Sequence, residues 1–125
     1  MSLADAPPIT FVHTPDRARA KAFYSDVLGL RVVSEDPFGT VYDLAGTTLR
    51  LSTVEGWTPH PHTVLGWKVD DIQAAVAALG ARGVRFHVYP GMGMSPEGIW
   101  TSPDGMAKVA WFSDPDGNNL SLTQS

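Results

Sequence analysis

The chain has 125 residues, enough for one domain with a real core, and 43% hydrophobic against 18% charged residues argues against disorder. A formal net charge of −4 with no stripe of Lys and Arg excludes the footprint of a nucleic-acid binder. The absence of cysteine excludes disulfides, thiolate catalysis and sulfur-ligated zinc, and no apolar run approaches the roughly 20 residues of a membrane span.

Residues 1–6 are set outside the fold, and their lack of a basic-then-apolar order points to a cytoplasmic protein. The first expected strand is residues 9–13, rich in β-formers. Thr14-Pro15-Asp16 has the order of an N-cap, a first-turn proline and a first-turn acid. Ala20, Phe23, Tyr24, Val27 and Leu28 then fall on one helical stripe, and Gly29 stops it. Three strands are expected at residues 30–34, 40–44 and 47–53.

Residues 55–62 hold two prolines and read as a linker. The spacing of His60 and His62 there has no carboxylate beside it, and no ligand role is expected. A strand at 63–69 follows. Asp70 with Gln73 resembles a capping box, and Ile72, Ala75, Val76 and Leu79 form a second helical stripe ending at Gly83. Strands are expected near 84–89, 106–112 and 118–123. Ser102-Pro103-Asp104-Gly105 and Asp114-Pro115-Asp116-Gly117 carry type I turn signatures, and 90–98 is an irregular stretch long enough for a lid or rim.

The two halves repeat each other. Gly29-Leu30-Arg31-Val32-Val33-Ser34 is answered by Gly83-Val84-Arg85-Phe86-His87-Val88, and residues 45–52 by 116–123, so Arg50 and Ser121 hold equivalent places. The expected fold class is α+β. Two βαβββ modules, at about 8–54 and 63–124 of a single domain, would form a curved eight-stranded mixed sheet with helices outside and a concave cleft.

Asp16 with Phe23-Tyr24 and Leu28-Gly29-Leu30, the Val69-Asp70-Asp71-Ile72 helix start and the Asp114-Pro115-Asp116-Gly117-Asn118 turn carry a resemblance. Together they resemble the vicinal oxygen chelate superfamily, which includes glyoxalase I, extradiol dioxygenases and the fosfomycin and bleomycin resistance proteins. The resemblance implies a homodimer, and implies metal ligands on the first and last strand of each module. Those positions are Ile9, Val64, Arg50 and Ser121 here. Two aliphatics, a hydroxyl and a guanidinium do not make a divalent-metal site, so neither a metal nor any other cofactor is expected.

Strand alternation places Phe11, His13, Arg50, Lys68 and Ser121 on the cleft side, while Trp67 falls on the helix side. Trp100 and Trp111 border the cleft on strands whose facing, like that of Tyr42, the pattern leaves open. Arg50 reads either as a bidentate clamp for an anionic ligand or as the partner of a nearby acid such as Asp43. His13 is the candidate general base. His87 occupies an ordinary strand position with no role assigned.

The resemblance and these residues point to metal-independent binding of a small anionic or aromatic molecule. A lyase, isomerase or dioxygenase-like enzyme and a non-catalytic regulatory module are the alternatives.

Overall fold

β1 (Ile9–Thr14) alternates as its sequence requires, burying Val12 and Thr14 while Ile9 and Phe11 stay exposed. The computed structural model describes residues 2–125. It divides into two units, one ending at Thr58 and the other running from Pro59 to Ser125, so the boundary falls inside the expected linker. No described helix is long and apolar enough to cross a membrane.

In the first unit, β1 leads to α1 (Arg17–Ala22), which continues as a π-helical turn over Phe23–Val27. The N-cap is Asp16, not Thr14. The Asp16 carboxylate accepts from the Arg19 amide, while Thr14 Oγ1 accepts from the Asp16 amide. Ala20 and Tyr24 of the predicted stripe are fully buried. β2 (Arg31–Asp36), β3 (Gly39–Leu44) and β4 (Thr47–Thr53) follow, and the sheet order is β1-β4-β3-β2 with β1 parallel to β4. Its core side holds Val12, Leu49, Leu51, Tyr42 and Tyr24, all at most 2% exposed. Each such burial is worth roughly 1.5–3 kcal/mol.

The second unit repeats this plan with β5 (Thr63–Lys68), α2 (Ile72–Ala81), β6 (Ile99–Thr101), β7 (Lys108–Ser113) and β8 (Asn119–Gln124), in the order β5-β8-β7-β6. The α2 cap is Asp71 rather than Asp70; its carboxylate accepts from the Ala74 amide at 3.1 Å. Both prolyl turns form, with Gly105 N–H donating to Ser102 O and Gly117 N–H to Asp114 O. The eight strands thus occur as two four-stranded sheets, each with one helix, in the α+β arrangement expected.

One strand lies elsewhere than expected. Residues 84–89 form no continuous strand: Phe86 makes a single bridge to Phe112, and the His87 amide donates to Trp111 O at 2.8 Å. The chain then leaves the sheet and returns as β6, with Ile99 opposite Ala110 and Thr101 opposite Lys108. Two segments therefore share the outer edge of β7, and residues 88–98 are an excursion whose ends meet, as in an Ω-loop. Gly98 makes the neck possible. Its φ is +91°, and a Cβ there would lie 2.8 Å from Phe86 Cβ.

Candidate functional site

Register fixes what the helix-free face of each sheet presents. In the first sheet three rows cross β1, β4, β3 and β2: His13, Ser52, Gly39 and Asp36, then Phe11, Arg50, Val41 and Ser34, then Ile9, Thr48, Asp43 and Arg31. Phe11 is 53% exposed, and the His13 ring lies 5.7 Å from that of Trp57. Phe11, His13 and Arg50 are therefore on one face, as alternation predicts.

Arg50 is not an open clamp. Its Nη1 donates to Asp36 Oδ2 at 2.8 Å and its Nη2 to Oδ1 at 3.0 Å. The expected alternative partner, Asp43, instead lies 4.0 Å from Arg31 and accepts from the Gly46 amide. Sequence distance misleads because the β2–β3 turn brings Asp36, fourteen residues away, beside β4. The Arg50 guanidinium, helped by the Phe38 and Gly39 amides, holds the Asp36 carboxyl well below the usual carboxylate range. The same turn is gripped from α1, where Arg17 donates to Asp36 O and Pro37 O.

The second sheet has matching rows. Lys68, Thr123, Val109 and Trp100 form one, and Gly66, Ser121 and Trp111 the next. Asn119 and Ser113 come last, with Thr63 Oγ1 donating to Asn119 Oδ1 at 2.7 Å. Arg50 and Ser121 thus hold equivalent middle-row positions in their sheets, as the repeat requires. Ser121, however, is only 8% exposed, and a Cβ on Gly66 would sit 2.6 Å from its Oγ. That hydroxyl packs against its neighbour strand instead of projecting from it.

The facing of the aromatics is now fixed. Tyr42 points to the helix side, fully buried, with its hydroxyl 2.9 Å from Ser25 Oγ. Trp67 is also on that side, stacked on Phe112 at 6.3 Å. Trp111 alternates with the buried Ala110 and Phe112, so it faces the other way. Its ring lies 6.4 Å from Trp100 and 6.0 Å from Tyr89, and Tyr89 in turn lies 5.8 Å from His87. His87 Nε2 is 2.8 Å from Ser113 Oγ.

Tyr89, His87 and Ser113 had no role in the sequence reading. The signal in the sequence is the alternation Arg85-His87-Tyr89 beside Val109-Trp111-Ser113, a pattern that an ordinary strand at 84–89 produces equally. Lys68 is exposed at the sheet's far edge, two strands from β7. It is the sole formal charge in these rows.

A pocket of about 350 Å³ lies on the other side of this sheet, between the α2 start and β6, with Asp71, Lys108 and Gln124 in its lining. The Gln124 amide oxygen there is taken up by the Ile72 N–H at 2.8 Å.

The family-type metal positions do not fit a cation. Ile9 and Arg50 share one sheet and Val64 and Ser121 the other, and Arg50 is ion-paired with Asp36. No group of three or more His, Asp or Glu side chains able to hold a metal occurs among the described residues.

Paired βαβββ modules with a repeated strand order and equivalent register define an α+β protein of the glyoxalase type. The chain belongs to the Glyoxalase/Bleomycin resistance protein/Dioxygenase superfamily, whose family model matches residues 8–122. A glyoxalase family protein from Bacillus anthracis is similar in structure at 15% identity and a TM-score of 0.74, covering 97% of this chain and 95% of that one. The fosfomycin resistance protein FosX from Listeria monocytogenes gives 11% identity and 0.73, covering 94% and 91%. Lactoylglutathione lyase from Agrobacterium tumefaciens gives 20% and 0.65, covering 97% and 94%. At these identities the likeness is one of fold. No curated protein sequence matches this chain as a relative.

Proposed function

We propose that this protein binds a small, flat aromatic molecule without a metal, using the helix-free face of its second sheet. The observation that carries the reading is the run of touching rings Trp100, Trp111 and Tyr89 on a face with little charge. Such rings offer stacking surface for a planar ligand, and their edges and faces suit offset contacts. The anionic half of the original expectation loses support, since the guanidinium meant to grip an anion already has a carboxylate in both prongs. The same ion pair occupies Arg50 as an electrostatic anchor for catalysis, so binding is the better-supported reading.

The test is calorimetric titration with a panel of aromatic metabolites, with and without EDTA, on the native chain and Trp111→Ala. Binding should be indifferent to EDTA and weaken by about tenfold in the variant, the scale of a lost aromatic contact. Binding that appears only with added divalent metal would overturn the proposal. So would an unchanged affinity in Trp111→Ala.

A further inference from the structure

The ring platform ends on a neutral polar pair. Trp111 and Ser113 lie two residues apart on one face of β7, so their Cα atoms are about 7 Å apart. Ser113 Oγ meets His87 Nε2 at 2.8 Å, and the His87 ring meets Tyr89, which meets Trp111. The His87 main chain is itself fixed to β7 through its N–H to Trp111 O. Both side chains of the pair are half-buried. Asn119, the register partner of Ser113, adds an uncharged amide to the same row.

These groups share one chemical property. A hydroxyl rotor beside an imidazole that can take either tautomer can donate to a ligand or accept from it. The row holds no carboxylate or ammonium, and Lys68 stands two rows and two strands away. A carboxylate placed there would lose hydration, and the only cations near it are the solvent-exposed Arg85, two residues before His87, and the distant Lys68. A phenolic hydroxyl or a ring carbonyl would exchange one neutral hydrogen bond for another.

We infer that Ser113 and His87 form a polar subsite selecting, among flat aromatic ligands, those with an uncharged hydroxyl or carbonyl at the ring edge. The inference rests on the platform reading above and names its ligand class. The ring lies on Trp111 and the substituent reaches Ser113.

The probes are phenol, toluene and benzoate, titrated into isotope-labelled protein while the tryptophan indole N–H signals are followed by NMR. Phenol should bind about fivefold more tightly than toluene, the worth of one neutral hydrogen bond, and benzoate should bind most weakly. Ser113→Ala should erase the advantage of phenol and leave toluene unchanged, and Ser113→Thr, which keeps the hydroxyl, should restore it. If toluene perturbs Trp111 but phenol binds no better, or Ser113→Ala leaves the preference intact, the subsite is wrong and the platform stands. Benzoate binding most tightly also overturns the subsite. If none of the three perturbs Trp111, the platform reading falls and this inference falls with it.

Discussion

Arg50 and Asp36 form a two-pronged ion pair on the helix-free face of the first sheet, joining the middle of β4 to the end of β2. Gly39, the register partner of Asp36, cannot carry a side chain at this level, since a Cβ would lie 2.6 Å from Leu51 O. The pair, the glycine and the Arg17 contacts together fix the hairpin turn. A position that in the family resemblance belongs to a metal ligand serves here as a structural strut.

The strut has a pH signature. Asp36 titrates well below its ordinary value because the ionised form is favoured in the fold. Its contribution is therefore fully present above the unfolded carboxylate pKa of about 4, and is lost as pH falls towards the lower folded value. Asp36→Asn should unfold at a lower temperature than the native chain at pH 7, and the gap should close on acidification below about pH 4. Calorimetric melts across that range check it. A gap independent of pH would mean that the pair contributes nothing through charge.

Gly66 and Ser121 form a second coupled pair. Gly66→Ala should destabilise by about 1–3 kcal/mol, because the new methyl meets Ser121 Oγ at overpacking distance. Removing the obstacle with Ser121→Ala should recover most of the loss. Urea unfolding of the two single variants and the double variant measures the coupling directly.

The helix caps give a prediction that separates neighbouring residues. Asp71→Ala should cost about 1 kcal/mol by freeing the Ala74 amide, whereas Asp70→Ala should cost little. Asp16→Ala should behave like Asp71→Ala, since its carboxylate serves the Arg19 amide in the same way. Denaturant midpoints of the three variants decide it.

Gly98 ties the excursion shut. Gly98→Ala combines a left-handed backbone with a Cβ contact of 2.8 Å, and should cost about 2 kcal/mol or more. Because Tyr89 is carried by the same loop, the variant should also alter tryptophan fluorescence as the Tyr89–Trp111 contact loosens. A fluorescence spectrum and stability identical to the native chain would contradict this.

The modular plan was legible because it rests on local, periodic signals. Val12, Leu49, Leu51, Ala110 and Phe112 alternate as strands must, and Ala20, Tyr24, Ile72 and Val76 keep helical spacing. The prolyl turns were equally plain, because proline and glycine at fixed offsets determine them. The caps were misplaced by one or two residues, since adjacent Thr14, Asp16, Asp70 and Asp71 all have suitable side chains and only backbone geometry chooses among them. The sixth strand was misplaced because 84–89 has strand-like composition, yet only its first part meets β7 before the loop departs.

The amino-acid pattern by itself determined two repeated modules, the placing of Phe11, His13 and Arg50 on one face, and the equivalence of Arg50 with Ser121. Periodicity carries that information because side-chain direction follows residue number within a strand. Only the tertiary structure decided who meets whom between segments distant in the chain. It gave Arg50 to Asp36, pressed Ser121 against Gly66, and gathered Trp100, Trp111, Tyr89, His87 and Ser113 on one face of the second sheet. Those pairings depend on register and on where a loop closes, and neither is written in the local spacing of residues.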